Sequence, residues 1–178
     1  MNKNWSTHIE SAYKTLLKEN NTRELGKFLA NANEHMQRDW INTHTSLTVN
    51  LRDDNDPNGT GYDLISSKGL RIQSKFRGGG SLFIEQTRRI SKKNLGAAAS
   101  TGHVVPSLGE CDVYIFTIPH GDYADPSKAE ILAIPESELE DPKNSGFLRP
   151  RVLKPTRTEF GGRAKEVLEK LEGEIDAQ

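Results

Sequence analysis

An acid, an amide and a primary amine lie close together in this chain as Asp63, Gln73 and Lys75. A carboxylate supplies charge, an amide carbonyl supplies a neutral oxygen, and a lysine supplies positive charge with three N–H donors. Together they can hold a hard divalent cation through oxygen and set an ammonium beside it. Whether they meet depends on the backbone between them. Ser67-Lys68-Gly69 is turn chemistry, with a glycine able to take the left-handed conformation that closes a three-residue hairpin loop. From there the residues alternate: Leu70, Ile72, Ser74 and Phe76 share one face, and Arg71, Gln73, Lys75 and Arg77 share the other. With Gly69 as a bulge, Ser66 pairs with Leu70, and counting outward sets Asp63 opposite Gln73.

Asp63, nine residues, then Gln73-Ser74-Lys75 resembles the D…(D/E/Q)-x-K core of the PD-(D/E)xK nucleases, which include many type II restriction endonucleases and the junction resolvases. Tyr62 stands where that family usually has proline, and Gln73 where it usually has Glu or Asp; Q-x-K members occur among its restriction nucleases. The specific likeness covers Gly61 to Arg77, and a looser match in element order runs to about Pro155. The resemblance implies metal-dependent hydrolysis of DNA, most like that of a small type II restriction endonuclease. The implied cofactor is Mg2+, with Mn2+ as a substitute. Its ligands would be Asp63, the Gln73 carbonyl and the Ser74 backbone carbonyl, and Lys75 would serve the attacking water. In such nucleases a helix glutamate sometimes reaches the metal; Glu34 and Glu10 are the candidates here, each with the competing reading of a solvent-facing helix acid. One centre cuts one strand, so cleavage of both strands implies a homodimer on double-stranded DNA. The alternatives are a structure-specific nuclease (resolvase or repair) and a catalytically inactive DNA-binding protein of the same fold.

Net charge is −1, so overall charge does not announce nucleic acid, but its distribution does. From Lys68 to Lys93 there are eight basic residues against the single acid Glu85. Within that run, Gln86, Arg88, Arg89 and Asn94 are of the types that read base edges. Lys92 and Lys93 suit phosphates, and Arg71 and Arg77 flank the site on the strand. His103 is a further candidate contact, with a capping or structural role as the alternative. A second basic run is Arg149, Arg151, Lys154 and Arg157, with no acid between Asp141 and Glu159.

The elements that must position these residues follow from periodicity. A capping box at Thr7 and Glu10 opens a first helix. A second is expected at about Arg23 to Ile41, with Leu25, Phe28, Leu29, Ala32, Met36 and Trp40 as its apolar stripe. Strands are expected at Leu47–Leu51, on both arms of the hairpin, at Ser81–Ile84, Asp112–Pro119, Ala129–Ile134 and, as a short edge, Arg151–Lys154. A helical turn at Glu136–Glu140 and a last helix at about Arg163 to Asp176 complete the set. The expected fold is α/β of the α+β type: a mixed central β-sheet with N-terminal helices and a C-terminal helix, restriction-endonuclease-like by the resemblance. Its 178 residues suit a single domain, with 1–45 helical and a possible dimer surface, 46–155 carrying the catalytic sheet and reading segment, and 156–178 the last helix. The single cysteine, Cys111, excludes internal disulfides and a cysteine zinc cage. No apolar run approaches membrane-spanning length, and Gly78-Gly79-Gly80 lacks the Gly-Lys-Ser/Thr of a P-loop, so neither membrane nor nucleotide cofactor is expected. A reducing, cytoplasmic location fits the cysteine usage.

Overall fold

Val113 to Ile118 is buried at every position, an unbroken run of β-branched and aromatic residues around Thr117, and it forms an interior strand. The chain is seen here as a computed structural model, which describes residues 15, 18, 22–53, 61–76, 82–89, 104–119 and 129–177. In chain order its elements are helix α1 (Thr22–His44), strands β1 (Val49–Leu51), β2 (Leu64–Ser66), β3 (Arg71–Phe76), β4 (Thr87–Arg89), β5 (Val104–Pro106), β6 (Val113–Pro119) and β7 (Ala129–Pro135), a 3-10 turn at Glu136–Leu139, and helices α2 (Lys154–Phe160) and α3 (Ala164–Asp176). One sheet has the order β1-β2-β3-β6-β7; all its pairs are antiparallel except β3 with β6, which is parallel. Among the described residues the architecture is therefore a mixed five-stranded sheet with three helices, of the α+β class. Strands β4 and β5 make a separate two-stranded ribbon.

The hairpin closes as its turn residues dictate. Gly69 has φ +95°, its N–H donates to the Ser66 carbonyl at 3.0 Å, and the Ser66 N–H donates to the Leu70 carbonyl at 3.0 Å. Leu64 pairs with Ile72, so the count continues to Asp63 opposite Gln73. Helix α1 lies on the sheet face that carries Ser74, which its Asn33 touches. Helix α3 buries Ala164, Val167 and Leu168 along its apolar stripe.

Two expectations are corrected. The stripe expected to bury α1 is only partly covered: Phe28, Leu29, Met36 and Trp40 are half-buried, whereas Asn33 and Gln37 are buried with Ala32 and Ile41. The polar pair is drawn inward because it bonds to the sheet. Arg151–Lys154 is not a strand. Only Arg151 bridges, to Phe83, and Lys154 already begins α2. Pro155 does not stop a strand there; it sits in the first turn of a helix, where its missing N–H costs nothing. Val104–Pro106 pairs antiparallel with Thr87–Arg89. The first helix near Thr7, most of the Arg52–Gly61 loop, Gly78–Gly80 and residues 95–102 lie outside the described residues. Among the described residues no helix is long and apolar enough to cross a membrane.

Candidate functional site

Strand β2 begins at Leu64, and its register puts Ser74 opposite Tyr62, two residues before the strand. The Asp63 side chain meets the Ser74 backbone instead. Its Oδ2 accepts the Ser74 N–H at 2.9 Å, while its own N–H donates to the Ile72 carbonyl at 2.9 Å. The Gln73 Nε2 donates to the same carboxylate oxygen. Burial pushes the Asp63 carboxyl up from its ordinary value; the Ser74 N–H, Lys75, Arg52 and Gln73 pull it down without cancelling that. The carboxylate is thus held in place, and the ionised form is held at a cost that a cation would relieve.

Two cavities open on this point. One, of about 340 Å3, is lined by Asp63, Asn31, Glu34, His35, Leu51 and Arg52. The other, of about 140 Å3, is lined by Gln73, Lys75, Glu85, Glu110, Ser107 and Tyr114, with Gly61 at its edge. Gln73 joins them, since it bonds Asp63 on one side and shares the Lys75 cavity on the other. Gly61 has φ +93°, and a Cβ there would overlap the Glu110 side chain, so glycine is needed for both the turn and the close approach.

The amide of Gln73 is turned the opposite way from the expected one. Its nitrogen, not its carbonyl oxygen, meets Asp63 Oδ2, and the same nitrogen lies 3.5 Å from the Ser74 carbonyl oxygen. Those two oxygens are the expected metal ligands, and the amide N–H2 stands between them where a cation would. An anionic carboxylate facing an amide attracts its donor end; a cation between them reverses that preference. Among the described residues no three His, Cys, Asp or Glu side chains cluster closely enough to hold a metal by themselves. The oxygen donors fit a hard cation that also takes ligands from its substrate.

Helix α1 braces this strand with side chains that the apolar pattern does not reveal. Asn33 Nδ2 donates to Ser74 Oγ at 2.8 Å. Gln37 Nε2 donates to Thr117 Oγ1 at 3.0 Å and to the Ile115 carbonyl at 3.2 Å, with the Lys75 carbonyl at 3.4 Å. Arg52 is a further cation near Asp63: its backbone N–H donates to the Asp63 carbonyl at 2.9 Å, and its guanidinium donates to the Tyr62 carbonyl at 3.4 Å. The β1–β2 register, Leu51 opposite Leu64, is the signal that brings Arg52 there.

The remaining candidates divide. Glu34 shares the cavity of Asp63. Arg71, expected to contact DNA, is instead held by Asp112: Nη2 donates to Oδ1 at 2.7 Å and Nε to Oδ2 at 3.2 Å, with Nη1 on the Gly109 carbonyl at 3.2 Å. That acid immediately precedes its parallel neighbour strand β6, which a local reading cannot see. Gln86 spends its amide N–H on the Leu148 carbonyl at 2.7 Å. Arg88 and Arg89 have their backbone in β4, and their side chains lie outside the described residues, as do Arg77, Lys92, Lys93, Asn94, Glu10 and His103. Comparison with protein-family models, with curated proteins and with solved structures finds no match.

Proposed function

We propose that the chain is a Mg2+-dependent endodeoxyribonuclease, a cytoplasmic homodimer that cleaves double-stranded DNA at specific sites in the manner of a small type II restriction endonuclease. The observation that carries this reading is the junction at the open end of the hairpin, where Gln73 links the Asp63 carboxylate to the cavity holding Lys75. Asp63, the Ser74 carbonyl and a turned Gln73 amide would hold the ion, with Glu34 across the wider cavity as the additional carboxylate. A bound Mg2+ supplies charge neutralisation at the phosphate and a more acidic water.

The chain's own residues do the rest. The Lys75 ammonium donates to the attacking water and to a non-bridging phosphate oxygen, where negative charge grows during displacement. The Ser74 N–H and the Asp63 backbone bonds fix the carboxylate, so little reorganisation is needed as charge moves. Arg52 flanks Asp63 and offers a cation to the same phosphate.

The orientation of the Gln73 amide favours a second reading, a DNA-binding protein that keeps the fold and lacks the chemistry. Incubating a long duplex with Mg2+ separates the readings. Discrete bands from wild type, reduced at least about 1,000-fold in rate by Lys75→Ala with duplex binding kept, are the expected result. Cutting only at branched substrates points to a structure-specific nuclease. Tight binding with no cleavage of either substrate overturns the enzyme reading.

A further inference from the structure

A separate cavity of about 570 Å3 is lined by Arg151, Lys154, Arg157, Glu130, Leu82 and Val152, among others. Three cations face one acid. Arg157 Nη2 donates to Glu130 Oε2 at 2.9 Å, which leaves the charges of Arg151 and Lys154 in excess. Among the described residues neither of these two has an acid within ion-pair reach, and both are exposed. The Arg151 guanidinium lies 5.3 Å from the centroid of the Phe83 ring, a side chain 50% exposed.

The position of this cavity relative to Lys75 follows from register. Lys75 pairs with Phe116, Phe116 pairs with Leu132, and Glu130 lies two residues from Leu132 along β7, on the same sheet face. Two strand spacings across and two residues along give a separation of about 12 Å. An independent route agrees. Leu82 lines the basic cavity and Glu85 lines the Lys75 cavity, and an extended chain covers that interval in about 10 Å. Guanidinium and ammonium groups are the side chains that hold phosphate oxygens. A span of about 10–12 Å is covered by a few neighbouring phosphates of one strand.

We propose that the Arg151–Lys154 cavity is a phosphate subsite for duplex DNA, gripping the backbone within a few nucleotides of the phosphate presented to Lys75. The proposal rests on the nuclease reading for its register and not for its measurement. Binding of a short labelled duplex is followed without divalent metal, as a function of salt between about 50 and 200 mM. Arg151→Ala with Lys154→Ala should weaken binding about tenfold and lower the slope of log affinity against log salt by about two; Lys154→Ala alone should lower it by about one. Thermal melts matching wild type establish that the variants are folded. An unchanged slope, or no duplex binding by wild type, overturns the proposal. Inorganic phosphate is the second arm: if it binds wild type, fails to bind the double variant, and duplex affinity is the same in both, the cavity serves a free anion and the proposal also falls. Lost cleavage chemistry with the slope effect intact would sink the nuclease reading alone; cleavage with no slope effect would sink the subsite alone.

Discussion

The Asp63 site and the Arg151 cavity, the latter about a dozen ångströms from Lys75 by strand geometry, are built on opposite principles. The first is made of partly buried groups tied to backbone: Asp63 on the Ser74 N–H, Gln73 on Asp63, and Asn33 and Gln37 bracing the strand from α1. The second is made of exposed charge on a short helix and the segment before it. Aligning a reacting phosphate demands fixed geometry, and fixed geometry here requires burying polar groups with their partners. Gripping a phosphate demands only charge within reach, so flexible side chains suffice.

The largest expected contrast is in stability. Gln37→Ala removes a buried amide that serves two strands and leaves a cavity, so unfolding free energy should fall by about 2–3 kcal/mol. Arg151→Ala should change it by no more than about 0.5 kcal/mol. Urea titration of both checks this, and equal losses would erase the distinction between the two regions.

A smaller effect is expected from Gln73→Glu. Replacing the amide by a second carboxylate beside Asp63 should tighten Mn2+ binding in the absence of DNA about tenfold, or about 1.4 kcal/mol. Weaker binding than wild type would remove Gln73 from the ligand set.

The smallest is a pH effect at Asp63. Its carboxyl is raised by burial, so its stabilising contribution is present at low pH and is lost as pH rises through the raised folded value. Asp63→Asn keeps an acceptor for the Ser74 N–H and does not ionise. Its stability relative to wild type should therefore be higher at pH 8 than at pH 4, as read by denaturant midpoints at each pH. A constant or reversed difference would mean that the carboxylate is not strained by its surroundings.

What could be read from the sequence was local. The turn residues and the alternation after Gly69 were enough to set Asp63 opposite Gln73, because hairpin register is fixed within a few residues. The strands and the helices at Thr22–His44 and Ala164–Asp176 followed from the apolar runs, whereas the mixed pairing of the sheet was expected only from the resemblance. What escaped depended on distant partners. Arg71 meets Asp112 only because β3 and β6 lie side by side, 41 residues apart in the chain. Asn33 and Gln37 escaped because counting apolar positions cannot recognise a polar side chain buried to satisfy backbone. The Gln73 amide took the orientation favoured by its neighbour's charge, which residue type alone does not specify.

Cys111 is the chain's single cysteine and is buried, with its thiol donating to Glu136 Oε1 at 3.6 Å. Burial and that neighbouring acid push its pKa far up, so the nucleophilic thiolate is scarce. The sulfur is therefore close to inert toward oxidants, and two copies of the folded chain cannot be stapled through it. A homodimer of the proposed kind would therefore rest on non-covalent contacts, and a thiol-specific reagent should leave it intact.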